Sequence, residues 1–192
     1  YLLSPCNPYI YYGEEIGALC SGLDENMRLA FNWGDKRKVN NPSGANYDGK
    51  QELGSVKSQT GKANSILTYY RNAIRLRNRF PEIGRGVIEA YALDAKGTIM
   101  TTESIRAGME DSTAALTRVN PLNRTVAAYT LTWNDSKILI VHNTGAADAT
   151  VVTSQFSGYE VVGSLYAAGG NIALSDCKLA LPSGSVAVLK AA

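Results

Sequence analysis

The residues best equipped for chemistry lie between positions 14 and 35: Glu14, Glu15, Asp24, Glu25, Arg28, Trp33 and Asp35. Two carboxylates are the working groups of glycoside hydrolysis, one protonating the leaving oxygen while the other attacks or activates water. Glu14 and Glu15 are adjacent, however, and adjacent side chains of an extended chain point to opposite sides. That is a poor arrangement for flanking a single bond. The competing reading is structural: Glu14 or Glu15 binds loop amides, and Asp24 pairs with Arg28, at helical i, i+4 spacing, to hold the loop. Other chemistries are poorly supplied. His142 is the only histidine and lies mid-strand, so a Ser/His/acid site is disfavoured. One histidine with scattered cysteines excludes the usual zinc sets. Cys6, Cys20 and Cys177 are odd in number, and no two share a metal-type spacing, so we expect three unpaired thiols.

The element that must position the acids is the stretch just before them. Tyr9-Ile10-Tyr11-Tyr12 shows no alternation of polar and apolar residues and is stopped by Gly13, the pattern of a strand covered on both faces in a parallel sheet. Such a strand needs neighbours on both edges, and little chain stands ahead of it. We therefore expect the sequence to be the tail of a larger enzyme whose earlier strands are coded upstream. Residues 13–62 read as a long polar loop. A helix follows, capped by Asn64 or Ser65. Its expected buried stripe is Ile66, Tyr69, Ala73, Leu76 and Phe80, widened by Leu67, Tyr70 and Ile74. Arg75, Arg77 and Arg79 suit its C-terminal dipole, and Pro81 ends it. No Gly-rich phosphate loop opens this helix.

Gly84-Arg85-Gly86 marks a change of pattern. Beyond it the chain predicts strands at Val87–Ala92, Thr98–Thr102, Val126–Trp133, Lys137–Asn143, Ala149–Ser154, Tyr159–Leu165, Lys178–Leu181 and Val186–Lys190. Asn134-Asp135-Ser136 makes the turn of a hairpin. Residues 103–120 fit the strand series less well, with Met109–Leu116 readable as a short helix or an ordered loop. Short strands with close turns argue for an antiparallel sandwich. The expected organisation is 1–84 as the remnant of a barrel and 85–192 as a C-terminal sandwich.

Composition sets outer limits. A net charge of +2 on 192 residues argues against nucleic-acid and membrane-surface partners, and no apolar run approaches the ~20 residues that span a bilayer. The chain begins with Tyr, so a targeting signal cannot be read from it.

Residues 7–17, Asn-Pro-Tyr-Ile-Tyr-Tyr-Gly-Glu-Glu-Ile-Gly, resemble the last barrel strand of the α-amylase family, glycoside hydrolase family thirteen. Residues 24–33, Asp-Glu-Asn-Met-Arg-Leu-Ala-Phe-Asn-Trp, are similar to the loop after that strand. Ser65–Arg71 and Leu76–Asn78 look like the eighth barrel helix, and Ile138–Asn143 with Gly184–Leu189 look like the closing sandwich. Cys6 departs from the small Gly more usual there. The resemblance implies an α+β fold: the last βα unit of a (β/α)8 barrel followed by an antiparallel β-sandwich. It implies a retaining enzyme acting on α-linked glucans such as starch and maltooligosaccharides, with its catalytic acids on earlier strands. No residue here then inherits a catalytic role. Glu14, Asp24 and Arg28 would form the rim of the sugar cleft, and Trp33 would be packing. The upstream barrel is the implied partner, with self-association through the first strand as a second expectation. No cofactor is implied for these residues; calcium belongs to the parent enzyme, without a site identifiable here. Localisation is unknown, with an extracellular or cell-envelope setting expected of a starch-degrading parent. The alternative is a glucan-binding sandwich using Tyr129, Trp133, Tyr159 or Tyr166, although Tyr129 and Trp133 share a face with Leu131 and read as core.

Overall fold

The computed structural model describes residues 1–35, 39–94, 96–100, 125–166 and 170–192. They divide into two compact units, one of Tyr1–Cys6 with Leu76–Ala192 and the other of Asn7–Arg75. The expectation for residues 103–120 lies outside the described residues.

The first unit is a sandwich. Its strands are β1 (Val87–Leu93), β2 (Ile99–Met100), β3 (Val126–Trp133), β4 (Ser136–Asn143), β5 (Ala149–Val152), β6 (Tyr159–Tyr166), β7 (Ala173–Ser175), β8 (Lys178–Leu181) and β9 (Ser185–Ala191). Six of them form one sheet in the order β2-β1-β3-β4-β9-β6, and β5-β8-β7 form a second. All strand pairs are antiparallel. Val126, Ala128, Leu139, Val141, Ala187 and Leu189 of the large sheet share a core with Val151, Leu179 and Leu181 of the small one. The opposite face of the large sheet is also closed: Leu131, Ile138, Ile140 and Val188 are fully buried. It is covered by Leu76 and Phe80, which flank Gly163, by the short helix α3 (Pro81–Arg85), which packs on β3 and β4, and by the N-terminal segment, whose Leu3 carbonyl accepts from Tyr129. Double burial explains why β4 and β9 read as continuous apolar runs.

The β3–β4 hairpin has the expected turn: Asn134 and Asp135 adopt φ of 46° and 62°, the conformation of a type I′ turn. The same device, Asp176-Cys177 at φ 49° and 56°, joins β7 to β8. Strand β7 was not expected, because Asp-Cys is not an ordinary signal for that turn. Pro81 does end the preceding helix, but it also opens α3, where its missing N–H costs nothing.

The second unit has few regular elements: α1 (Val56–Gln59), most of α2 (Ile66–Arg79) and 3-10 turns at Glu14–Ile16 and Asp24–Arg28. The Ser65 hydroxyl accepts from the Thr68 amide at 3.2 Å and caps α2, so of the two expected caps Ser65 fills the role. The buried stripe of α2 is Leu67, Ala73, Leu76 and Phe80. Ile66 and Tyr69 are only half-buried at its margin, and Ile74 is 37% exposed, contrary to expectation. Apolar spacing defines an arc on a helix, and the contacts decide its centre. Here the buried Gln59 accepts the Leu67 amide and fixes the rotation of the first turn.

Tyr9–Tyr12 form no ladder, and the segment is open to solvent, with Tyr9 at 89% exposure. A strand exists only by pairing, and no strand among the described residues lies beside this one. The barrel strand expected there is not shown among the described residues.

Candidate functional site

The predicted rim residues lie in the second unit. Gly13, at φ 98°, breaks the extended segment and starts the 3-10 turn that carries both glutamates. Glu15 folds back and accepts the Gly13 N–H at 2.7 Å, which is the loop-amide role foreseen for one of the pair. Glu14 turns the other way, and Tyr70 of α2 donates its hydroxyl to the Glu14 carboxylate at 3.4 Å. Asp24 and Arg28 are joined at 2.5 Å, with side chains 80% and 51% exposed. An ion pair so exposed contributes at most about 1 kcal/mol, so it trims the loop rather than anchoring it.

A cleft of about 550 Å³ opens in this unit. Glu14 lines it together with Tyr11, Tyr12, Phe31 and Tyr47, and is the only carboxylate that does so among the described residues. Asp24, Arg28 and Trp33 do not line it. The structure thus brings Glu14 to a concave surface and leaves the other two rim candidates outside. Trp33 packs edge-on against Phe31 at 4.8 Å between ring centres, and Tyr12 stands 6.5 Å from Phe31 on the other side. Tyr12 donates to the Leu29 carbonyl at 3.2 Å. Burial and the neighbouring Tyr11 push its phenol above the ordinary value, so it stays a donor at neutral pH.

The walls are held by side-chain amides that sequence reasoning passed over. Buried Asn26 accepts the amides of Asn46 and Tyr47 at 2.9 and 3.0 Å, and donates to Ser21 and Asn46 at 2.8 and 3.0 Å. Gln51 exchanges two 2.8 Å bonds with the backbone of Leu19. Gln59 donates to the Ile16 carbonyl at 2.8 Å. Their only sequence signal was the density of Asn and Gln in a long segment with few apolar residues.

In the sandwich, His142 lies on β4 within 2.9 Å of the Tyr129 hydroxyl, and the two rings stack with centres 5.6 Å apart. Burial lowers the His142 pKa to about 4 and raises that of Tyr129 to about 12. The three cysteines are free thiols. Among the described residues, no group of three or more His, Cys, Asp and Glu side chains could hold a metal ion.

No protein-family profile matches the chain. Among curated proteins, Alpha-amylase SusG of Bacteroides thetaiotaomicron is 27% identical over 146 residues, which cover 75% of this chain and 18% of that protein. Alpha-amylase 3 of Dictyoglomus thermophilum is 27% identical over 153 residues, covering 78% and 25%. The chain therefore spans a quarter or less of the curated relatives it matches. Among solved structures, Eubacterium rectale Amy13B matches all of this chain and 33% of its own, with a TM-score of 0.79 and 29% identity. The α-amylase from H. orenii matches all of this chain and 34% of its own, with a TM-score of 0.70; at 22% identity, that likeness speaks for the fold. The mostly-β architecture with antiparallel sheets is that of an amylase C-terminal domain. The chain is thus similar to the C-terminal portion of α-amylases, consistent with glycoside hydrolase family thirteen.

Proposed function

We propose that this chain is the C-terminal part of an α-amylase-like retaining glycoside hydrolase that acts on α-linked glucans, that it braces the parent's barrel, and that it is inactive alone. The observation that carries the reading is the likeness to Amy13B over the full length of the chain. In this reading residues 1–84 complete the barrel and residues 85–192 form the closing sandwich. The exposed Tyr9–Tyr12 segment supports it, because an apolar stretch with open ladder groups is suited to pairing with another strand. Its partner is the upstream barrel, and pairing with a second copy is the substitute when that barrel is missing. Glu14 then lies at the end of the last barrel strand, where such enzymes keep their active sites. It shapes the sugar cleft, while the exposed Asp24–Arg28 pair only trims the loop. No cofactor enters this reading.

Inactivity follows from geometry. Retaining catalysis needs two carboxyl groups about 5 Å apart on a rigid frame, and the cleft offers Glu14 alone among the described residues. Incubation of the chain with starch or maltooligosaccharides should release no reducing ends above background. Clear turnover would overturn the proposal.

A further inference from the structure

Asp48-Gly49 is the only Asp-Gly pair in the chain. Such a pair is chemically labile. The peptide nitrogen after an aspartate can attack the side-chain carboxyl, and glycine has no Cβ to stand in the way. Whether a fold permits the step depends on exposure, on freedom from regular structure and on what holds the two groups. Asp48 and Gly49 are both exposed, and residues 45–51 form neither helix nor strand. Among the described residues, neither the Asp48 carboxyl nor the Gly49 N–H has a hydrogen-bond partner. The glycine is also demanded by its surroundings. A Cβ at Gly49 would collide with the tip of the Tyr47 ring, so the packing of a cleft-lining tyrosine keeps the labile pair in place.

We propose that Asp48 is a site of spontaneous isoaspartate formation, and that this modification loosens the wall of the cleft that Glu14 lines. The Gly49 nitrogen bonds to Asp48 Cγ and closes a five-membered succinimide, while the amide proton and the carboxyl hydroxyl leave together as water. Water then adds back to the ring. Opening at Cγ restores aspartate. Opening at the main-chain carbonyl carbon of Asp48 leaves the chain running through Cβ and Cγ. The mass is unchanged, nothing is oxidised or reduced, and the main chain gains one atom. The segment is pinned on both sides of that atom. Upstream, Asn26 holds the amides of Asn46 and Tyr47 at 2.9 and 3.0 Å. Downstream, Gln51 exchanges two 2.8 Å bonds with the backbone of Leu19. Tyr47, Gly49 and Gln51 all line the cleft, so the added length is taken up by one of the two clasps and the wall between them shifts. The step depends on this loop alone and holds whether or not the cleft receives a sugar.

Prolonged warm incubation of the chain at neutral pH, followed by protein isoaspartyl methyltransferase with labelled S-adenosylmethionine, reads the chemistry. Methyl acceptance should rise with incubation time and map by peptide mass spectrometry to Asp48. Asp48→Glu should lose it, because the longer side chain must close a six-membered ring, a much slower step. In the aged chain the amides of Asn46 and Tyr47 should exchange hydrogen faster than in the fresh chain, while aged Asp48→Glu keeps the fresh rate. A short peptide of residues 45–51 serves as the reference. Methyl acceptance by that peptide, with none at Asp48 of the folded chain, would overturn the proposal, because the fold would then protect the pair. Unchanged exchange at Asn46 and Tyr47 in a chain that carries isoaspartate would overturn the loosening of the wall.

Discussion

Buried polar side chains in this protein act by bridging backbone to backbone. Asn26 and Gln59, 4% and 3% exposed, each tie segments distant in sequence, and each uses both its donor and its acceptor. That matters in a stretch with little apolar material, where buried amides of the main chain need partners that no ladder supplies. His142 behaves differently, because it can change its charge. Burial is the first cause of its depressed pKa, and the group facing it is the Tyr129 hydroxyl. Between the ordinary value of 6.5 and about 4, the folded chain binds fewer protons at this site than the unfolded chain. Stability is thus full above pH 6.5 and is lost as pH falls through that window, by on the order of 3 kcal/mol. Urea unfolding from pH 7 to pH 4 should show this slope, and His142→Gln should flatten it. An equal slope in the variant would assign the loss elsewhere. Glu82 contributes separately and lower down. Burial raises its pKa, but Ser136, its own amide and Lys190 together outweigh that and hold it below the ordinary 4.5, so its share is lost only as pH falls below that value.

At the scale of elements, the junction between α3 and β1 is closely packed. A Cβ at Gly86 would stand 2.4 Å from the Glu82 carbonyl oxygen and 3.2 Å from both Leu131 Cβ and the Thr132 nitrogen. Two of these neighbours are backbone and cannot swing aside. Gly86→Ala should therefore destabilise the sandwich by about 1–3 kcal/mol, read as a lower urea midpoint with an unchanged slope. A neutral effect would mean that α3 is free to shift on the sheet. This glycine was legible in the sequence as a break in pattern, and the hairpin at Asn134-Asp135 was legible as a turn, because both signals are local. The apolar strands β3, β4 and β9 were legible for the same reason. What the residues could not announce was context. Tyr9–Tyr12 has the composition of a doubly covered strand, yet strand formation depends on partners outside the segment. The stripe on α2 was found but miscentred, since one hydrogen bond from Gln59 sets its rotation. Of the cleft, the sequence pointed to Glu14 but also to Asp24 and Arg28, because charge and spacing do not say which side chains face a concavity. Asn26 was missed because a clasp is defined by the distant amides it holds.

At the scale of the whole molecule, the two units rest on different kinds of support. The sandwich buries apolar side chains on both faces of its larger sheet. The loop-rich unit depends on hydrogen bonds from side-chain amides, and much of its aromatic surface, Tyr9, Tyr11, Tyr12 and Trp33 included, is exposed. Apolar burial is cooperative over a whole sheet, whereas a clasp can open locally without disturbing its neighbours. The free energy of opening should therefore differ along the chain. In native-state hydrogen exchange with added denaturant, amides of β3, β4 and β9 should exchange only through global unfolding. Amides held by Asn26 and Gln51, those of Asn46, Tyr47 and Leu19, should exchange through smaller openings with a weak dependence on denaturant. If both sets converge on one opening energy, the loop-rich unit folds as an integral part of the sandwich. The exposed tyrosines give the same experiment a second axis. Raising the protein concentration should slow exchange at Tyr9–Tyr12, and light scattering should show a growing mass, if a second copy pairs with that segment. Exchange there that is independent of concentration would rule out a second copy as the partner of that segment.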